Sequence, residues 1–145
     1  MKYMARKTIL VKLTVLFALA HSACAAAPPN LVPWPQSVRT ASGSLALTAR
    51  SRIVAADPAL APLAEVLAEE IQRVTGRRLA AANGKPSAGD IGLELDPKLK
   101  GEAYAVEIGK SARVRGGNYG AAALGTVTLL QALENNNGRI TLPCL

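Results

Sequence analysis

The chain has 145 residues, with 17 Lys and Arg against 10 Asp and Glu, one His and two Cys, a length that suits a single domain. Lys2, Arg6, Lys7 and Lys12 fall in the first 25 residues together with the only histidine, His21, and with Cys24; without them 13 basic residues face 10 acidic ones, a charge of +3. So small a surplus, spread over scattered arginines, is no case for nucleic acid.

Residues 1–25 read as a secretory signal. The four basic residues open it, Leu13 to Ala20 (LTVLFALA) form its apolar core, and Ala23-Cys24-Ala25 places small residues before a cut after Ala25. A membrane anchor is the rival, but a span needs about 20 apolar residues, and Lys12 interrupts the run. A lipoprotein would instead place Cys24 after the cut, although His21 stands where that motif wants Leu. The expectation is export, to the periplasm or beyond, with no stable membrane span in the mature chain. Residues 26–29 are a linker and residues 30–145 the domain.

The domain opens on Leu31-Val32-Pro33-Trp34-Pro35-Gln36, whose alternating prolines favour an extended path. Trp34 anchors this segment by packing; a ligand-stacking Trp is the alternative. Gly43-Ser44 marks a turn, after which Leu45 and Leu47 alternate with small residues. Arg52 to Ala55 is a second strand, and the short connection Ala49-Arg50-Ser51 suggests a hairpin-like pairing of the two.

Asp57-Pro58 signals a helix start, with Asp as N-cap and Pro at the first position. The helix runs to about Thr75, and Gly76 ends it. Leu60, Leu63, Ala64, Leu67, Ile71 and Val74 trace one apolar face, while Glu65, Glu69, Gln72 and Arg73 line the other. Arg77 to Ala82 is a short strand, and Asn83 to Gly89 a loop. Ile91, Leu93 and Leu95 alternate along the next strand. Tyr104, Val106 and Ile108 do the same, Gly109-Lys110 turns the chain, and Ala112 and Val114 continue as hairpin partner.

Gly116 to Leu133 (GGNYGAAALGTVTLLQAL) reads as a glycine turn feeding a helix. Leu124, Val127, Leu129, Leu130 and Leu133 do not share one stripe, and alanines fill the gaps. A helix apolar on all faces is buried on all faces, yet a chain this short has few layers with which to bury it twice. Its far side calls for a cover from elsewhere. Asn135 to Gly138 ends the helix, and Ile140 and Leu142 open a last strand. Strands with one polar face and helices on the other side give a two-layer α+β domain, a mixed β-sheet with two helices packed on one face.

Catalytic candidates fail one by one. Ser-His-Asp and Cys-His chemistry needs an imidazole, which the mature chain lacks, and zinc sites built from His and Cys fail for the same reason. Cys144, alone, reads as a small buried apolar residue. Glu69 and Glu70 point to different sides of a helix; Glu65 and Glu69 share its solvated face. Glu94 and Asp96 share one side of a strand, both expected exposed and without a partner to tune them for acid catalysis. Arg115-Gly116-Gly117-Asn118-Tyr119-Gly120 precedes a helix, where a phosphate could sit, but matches no phosphate-loop pattern; a tight turn is the simpler reading. Trp34, Tyr104 and Tyr119 are too few for a sugar-stacking platform. No catalytic, cofactor-binding or metal residue is assigned.

Five segments in order nevertheless resemble one family. Leu31 to Val38 (LVPWPQSV) with Gly43-x-Leu45-x-Leu47 and Ile53-Val54, then Leu67-Ala68-Glu69-Glu70 with Thr75-Gly76, then Ile91-x-Leu93, then Glu102-Ala103-Tyr104-x-Val106, then Gly125-x-x-Thr128-Leu129-x-Gln131-x-Leu133 are similar to the N-terminal domain of bacterial β-N-acetylhexosaminidases, glycoside hydrolase family 20. The resemblance covers about Asn30 to Leu142. It implies a zincin-like sheet with two helices, set before a (β/α)8 barrel that carries the chemistry. There an adjacent Asp-Glu pair works: Glu is the acid, and Asp orients the substrate's own acetamido group, an exception to the two-carboxylate scheme. No Asp-Glu dipeptide occurs in this sequence, so no catalytic residue carries over. The resemblance leaves two readings: the non-catalytic domain of an exported hexosaminidase, cut off before its barrel, or a stand-alone exported binding or scaffold domain. The similar domain that precedes α-glucuronidase or O-GlcNAc hydrolase barrels is a variant of the first.

Overall fold

A computed structural model describes residues 31–32 and 35–145. The signal, the linker and Trp34 lie outside the described residues.

Strand β1 (Ser44–Leu47) buries alternate residues, Leu45 and Leu47. Strand β2 (Arg52–Ala55) buries Ile53, Val54 and Ala55 in succession. That difference decides their partners. A strand with one wet face suits an antiparallel sheet, whereas a run buried on both faces suits a parallel one. The expected β1–β2 hairpin is accordingly absent: β1 pairs antiparallel with β8 (Arg139–Pro143), and β2 pairs parallel with β3 (Ala80–Asn83) and β4 (Ile91–Leu95). The connection is a tight turn, Ser51 N–H donating to Thr48 O and Thr48 N–H to Ser51 Oγ, both at 3.1 Å. It hands the chain from one sheet to the other.

The entry to the first helix obeys the sequence signals. Asp57 Oδ1 accepts from Ala59 N–H at 2.9 Å, a 3-10 turn spans Pro58–Leu60, and α1 runs Ala61–Thr75. Gly76, at φ +75°, closes it by donating to Gln72 O at 2.7 Å; a side chain would be strained in that left-handed conformation. Leu60, Leu63, Ala64, Leu67 and Ile71 are buried, as the periodicity requires. Val74 points the same way at about 100° per residue but is 58% exposed, because nothing among the described residues covers the last turn.

After β4 come β5 (Tyr104–Ile108) and β6 (Ala112–Gly116), the expected hairpin, with β6 also parallel to β4. The result is a mixed five-stranded sheet, order β3-β2-β4-β6-β5, beside a three-stranded sheet, order β1-β8-β7, where β7 is Glu134–Asn136. In the larger sheet Ile53, Ala55, Ile91, Leu93, Ala112 and Val114 join Leu67, Ile71, Ala122 and Leu129 in the core, so both helices lie on one face, as the α+β reading expects. The smaller antiparallel sheet is an addition to that reading, and its Leu45, Leu47, Ile140 and Leu142 enter the same core. Arg77, in the α1–β3 connection, ties that connection to the smaller sheet, donating to Leu47 O at 2.7 Å and Gly138 O at 3.3 Å.

Helix α2 spans Tyr119–Gln131. Asn135 to Gly138 does not terminate it. Glu134–Asn136 form β7, paired with β8 through Asn137 (φ +53°) and Gly138 (φ +82°). Asn-Gly with two positive φ angles is the favoured two-residue hairpin turn, and that preference wins here over helix capping.

Candidate functional site

At the glycine turn before α2 both glycines make close approaches, Gly117 to Leu99 O and Gly116 to α2. Gly116 is the last residue of β6, and a Cβ there would fall 2.7 Å from Ala122 Cα. Asn118 caps the helix: its Oδ1 accepts from Ala121 N–H at 2.9 Å, its carbonyl from Ala122 N–H at 3.0 Å, and its Nδ2 donates to Gly101 O at 2.9 Å. One of the first-turn donors that an anion would use, the Ala121 N–H, is thereby engaged within the chain.

The carboxylates are held apart, half of them by arginines. Glu65 meets Arg78 at 3.6 Å and Glu70 meets Arg73 at 2.8 Å, on the solvated side of α1 with Glu69. Asp96, expected exposed, is half-buried: its Oδ2 accepts from Arg115 Nη1 at 3.2 Å, and the other arm of Arg115 binds Glu107. Glu94 stands beside Arg115 in register on the same outer face of the sheet. This neighbour lies across the β4–β6 pairing, where no local pattern in the sequence points to it.

Asp90 also escaped the sequence reading. It is 3% exposed and accepts four hydrogen bonds: Arg52 Nη2 at 2.7 Å, Ser87 N–H at 2.9 Å, Arg52 N–H at 3.1 Å and Arg52 Nε at 3.4 Å. Burial pushes its pKa up, but the guanidinium and the backbone donors outweigh burial and hold it below the ordinary value; Asp90 in turn raises that of Arg52. A carboxylate saturated with donors joins β2 to β4 and has no free lone pair for proton transfer.

A cavity of about 430 Å³ opens at the β5 edge, lined among others by Leu31, Val38, Tyr104, Val106, Thr128 and Glu107. Tyr104 Oη is spent on Thr128 Oγ1 at 2.8 Å, and Glu107 is held by Arg115. With one engaged carboxylate and no second in the lining, the cavity lacks the pair that glycoside cleavage uses. Among the described residues no three His, Cys, Asp or Glu side chains converge as a metal would require, and no helix is long and apolar enough to cross a membrane. Cys144 is half-buried, close to Gly43.

What remains is the outer side of α2. Gly125 presses onto the sheet, where a Cβ would fall 2.5 Å from Val114 Cγ1 and 3.3 Å from Tyr104 Cδ2. Ala121, Ala122, Thr128, Leu129 and Ala132 are buried with it. The opposite side is not: Leu124 is 44% exposed, Val127 50% and Tyr119 44%, with Ala123 and Leu130 half-covered between them. The expectation of burial on every face fails among the described residues, whose layers cover only one side. The helix carries no charged residue to make the other side a wet one.

The model of glycosyl hydrolase family 20, domain 2, matches residues 28–145. Among solved structures, the fold is shared with an exo-β-N-acetylglucosaminidase of that family from Vibrio harveyi in complex with N-acetylglucosamine (TM-score 0.68, 19% identity, 79% of this chain and 18% of that one). It is shared too with a β-N-acetylhexosaminidase from Streptomyces coelicolor A3(2) (TM-score 0.68, 20% identity, 81% and 26%). A β-N-acetylhexosaminidase from Bacteroides fragilis is a third (TM-score 0.60, 19% identity, 79% and 23%). The chain therefore spans about a quarter or less of the length of these proteins. No curated protein sequence matches it.

Proposed function

The chain belongs to glycosyl hydrolase family 20, as its domain 2, and from that premise we propose that it is the non-catalytic domain of an exported β-N-acetylhexosaminidase. The activity, removal of terminal N-acetylglucosamine or N-acetylgalactosamine from glycans, resides in a (β/α)8 barrel joined to it in the same polypeptide. The domain supports that barrel.

The outer side of α2 carries this reading. An uncharged helix with Tyr119, Leu124 and Val127 exposed is suited to covering by another domain and poorly suited to water. At about 25 cal/mol per Å², a few hundred Å² of such surface is several kcal/mol of unrealised burial, comparable with a typical total stability of about 5–15 kcal/mol. The carboxylates engaged by Arg52, Arg73, Arg78 and Arg115 agree with a supporting role.

The test is the coding sequence downstream of Leu145 and its product. A reading frame that continues into an Asp-Glu pair after Gly-Gly, with a product that hydrolyses a chromogenic N-acetylglucosaminide, is the expected result. A stop after Leu145, with a soluble monomer that binds no hydrophobic dye, would overturn it in favour of a stand-alone scaffold.

A further inference from the structure

β5 is an edge strand, and an edge offers its outward backbone groups to another strand. In its pairing with β6, alternate residues face away from the sheet. Ile108 is one of them, and it is satisfied: its N–H donates to Leu145 O at 3.1 Å and its carbonyl accepts from Leu145 N–H at 3.2 Å. Reciprocal bonds of this kind define a hydrogen-bonded antiparallel pair. Tyr104 and Val106 share the outward orientation, and their backbones have no such partner among the described residues. Beside them lies the cavity of about 430 Å³, which Pro35, Ser37, Val38 and Arg39 of the N-terminal segment also line. The open stretch of the edge and the N-terminal segment thus line one slot, which Leu145, bonded to Ile108, also lines.

We propose that the slot takes an extended stretch of the polypeptide running on from Leu145, as a sixth strand antiparallel to β5. This rests on the reading that the domain is part of a longer polypeptide. The Leu145–Ile108 pair sets the register. The second and fourth residues beyond Leu145 stand opposite Val106 and Tyr104, reaching the latter about 14 Å from Ile108 at ~3.4 Å per residue. Paired residues share a face, so these two turn into the cavity with Val106 and Tyr104 and are apolar. The first and third turn to the outer face near Glu107 and are polar. The domain and the rest of the polypeptide are then joined by a backbone ladder as well as by a covalent link.

Amide hydrogen exchange on the chain extended by Thr-Val-Thr-Val-Thr-Thr after Leu145 tests this without reference to enzyme activity. The Val106 amide should exchange at least tenfold more slowly than in the unextended chain, and Tyr104 should do the same. Proline at the second added position, where the N–H faces β5, should abolish the protection. Proline at the first, where the N–H faces away, should leave it intact. Ile108 serves as the internal reference. Equal exchange with and without the extension, or indifference to where proline sits, would overturn the inference. Loss of the hexosaminidase reading would show instead as a missing Asp-Glu frame or an inactive longer product.

Discussion

Replacing Gly125 by alanine measures how closely α2 is seated. The new methyl would lie 2.5 Å from Val114 Cγ1, where carbon atoms rest at about 3.5–4.0 Å. Val114 is wholly buried, and its branched side chain has little rotamer freedom, so α2 must lift by about 1 Å to restore that spacing. Overpacking of this kind costs about 1–3 kcal/mol. Removing a glycine from a helix interior returns about 1 kcal/mol, leaving a net loss of roughly 1 kcal/mol. Gly120→Ala is the control: it is on the exposed side, its nearest contact would be Asn118 Oδ1 at 3.4 Å, and it should stabilise by up to about 1 kcal/mol. Urea unfolding at constant m-value separates the two. In a Val114→Ala background the methyl finds room, and the cost of Gly125→Ala should fall by at least about 1 kcal/mol. If Gly125→Ala stabilises as much as Gly120→Ala and shows no coupling to Val114, the close seating of α2 on β6 is refuted.

Asp90→Asn should cost about 1–2 kcal/mol at neutral pH, since it weakens a buried set of charge-assisted hydrogen bonds. Because the folded pKa is depressed, the contribution of Asp90 is present above the unfolded value of about 3.9 and is lost as pH falls through the folded one; the gap between wild type and variant in urea midpoint should close in acid. Asn118→Ala should cost about 1 kcal/mol in the same assay, through the freed Ala121 N–H. Leu124→Lys with Val127→Lys should leave the stability of the isolated chain within about 0.5 kcal/mol, as exposed positions do, while lowering its dye binding and self-association in sedimentation velocity. Unchanged dye binding would show that the outer face of α2 is not the sticky surface.

The elements were legible where one local signal decided them. Asp57-Pro58 opened the 3-10 turn that leads into α1, Gly76 closed α1, and the alternations of Ile91 and Leu93, and of Tyr104, Val106 and Ile108, placed β4 and β5. What failed was partner choice. The short Ala49-Arg50-Ser51 connection suggested a hairpin, although the unbroken burial of Ile53, Val54 and Ala55 is the mark of a parallel strand. Asn137-Gly138 carried a hairpin signal that the helix pattern before it overshadowed. Asp90–Arg52 and Asp96–Arg115 join residues 38 and 19 apart, across pairings that no local period encodes. The anomaly of α2 was visible in its composition. Its resolution was not, because the buried and exposed sides of an uncharged helix differ only in what lies over them.

Turnover of a chromogenic N-acetylglucosaminide by the purified 145-residue chain is the most direct test of the central claim. A supporting domain without a catalytic carboxylate pair should give no rate above the uncatalysed background at any protein concentration. A rate that scales with the amount of pure chain would contradict the account.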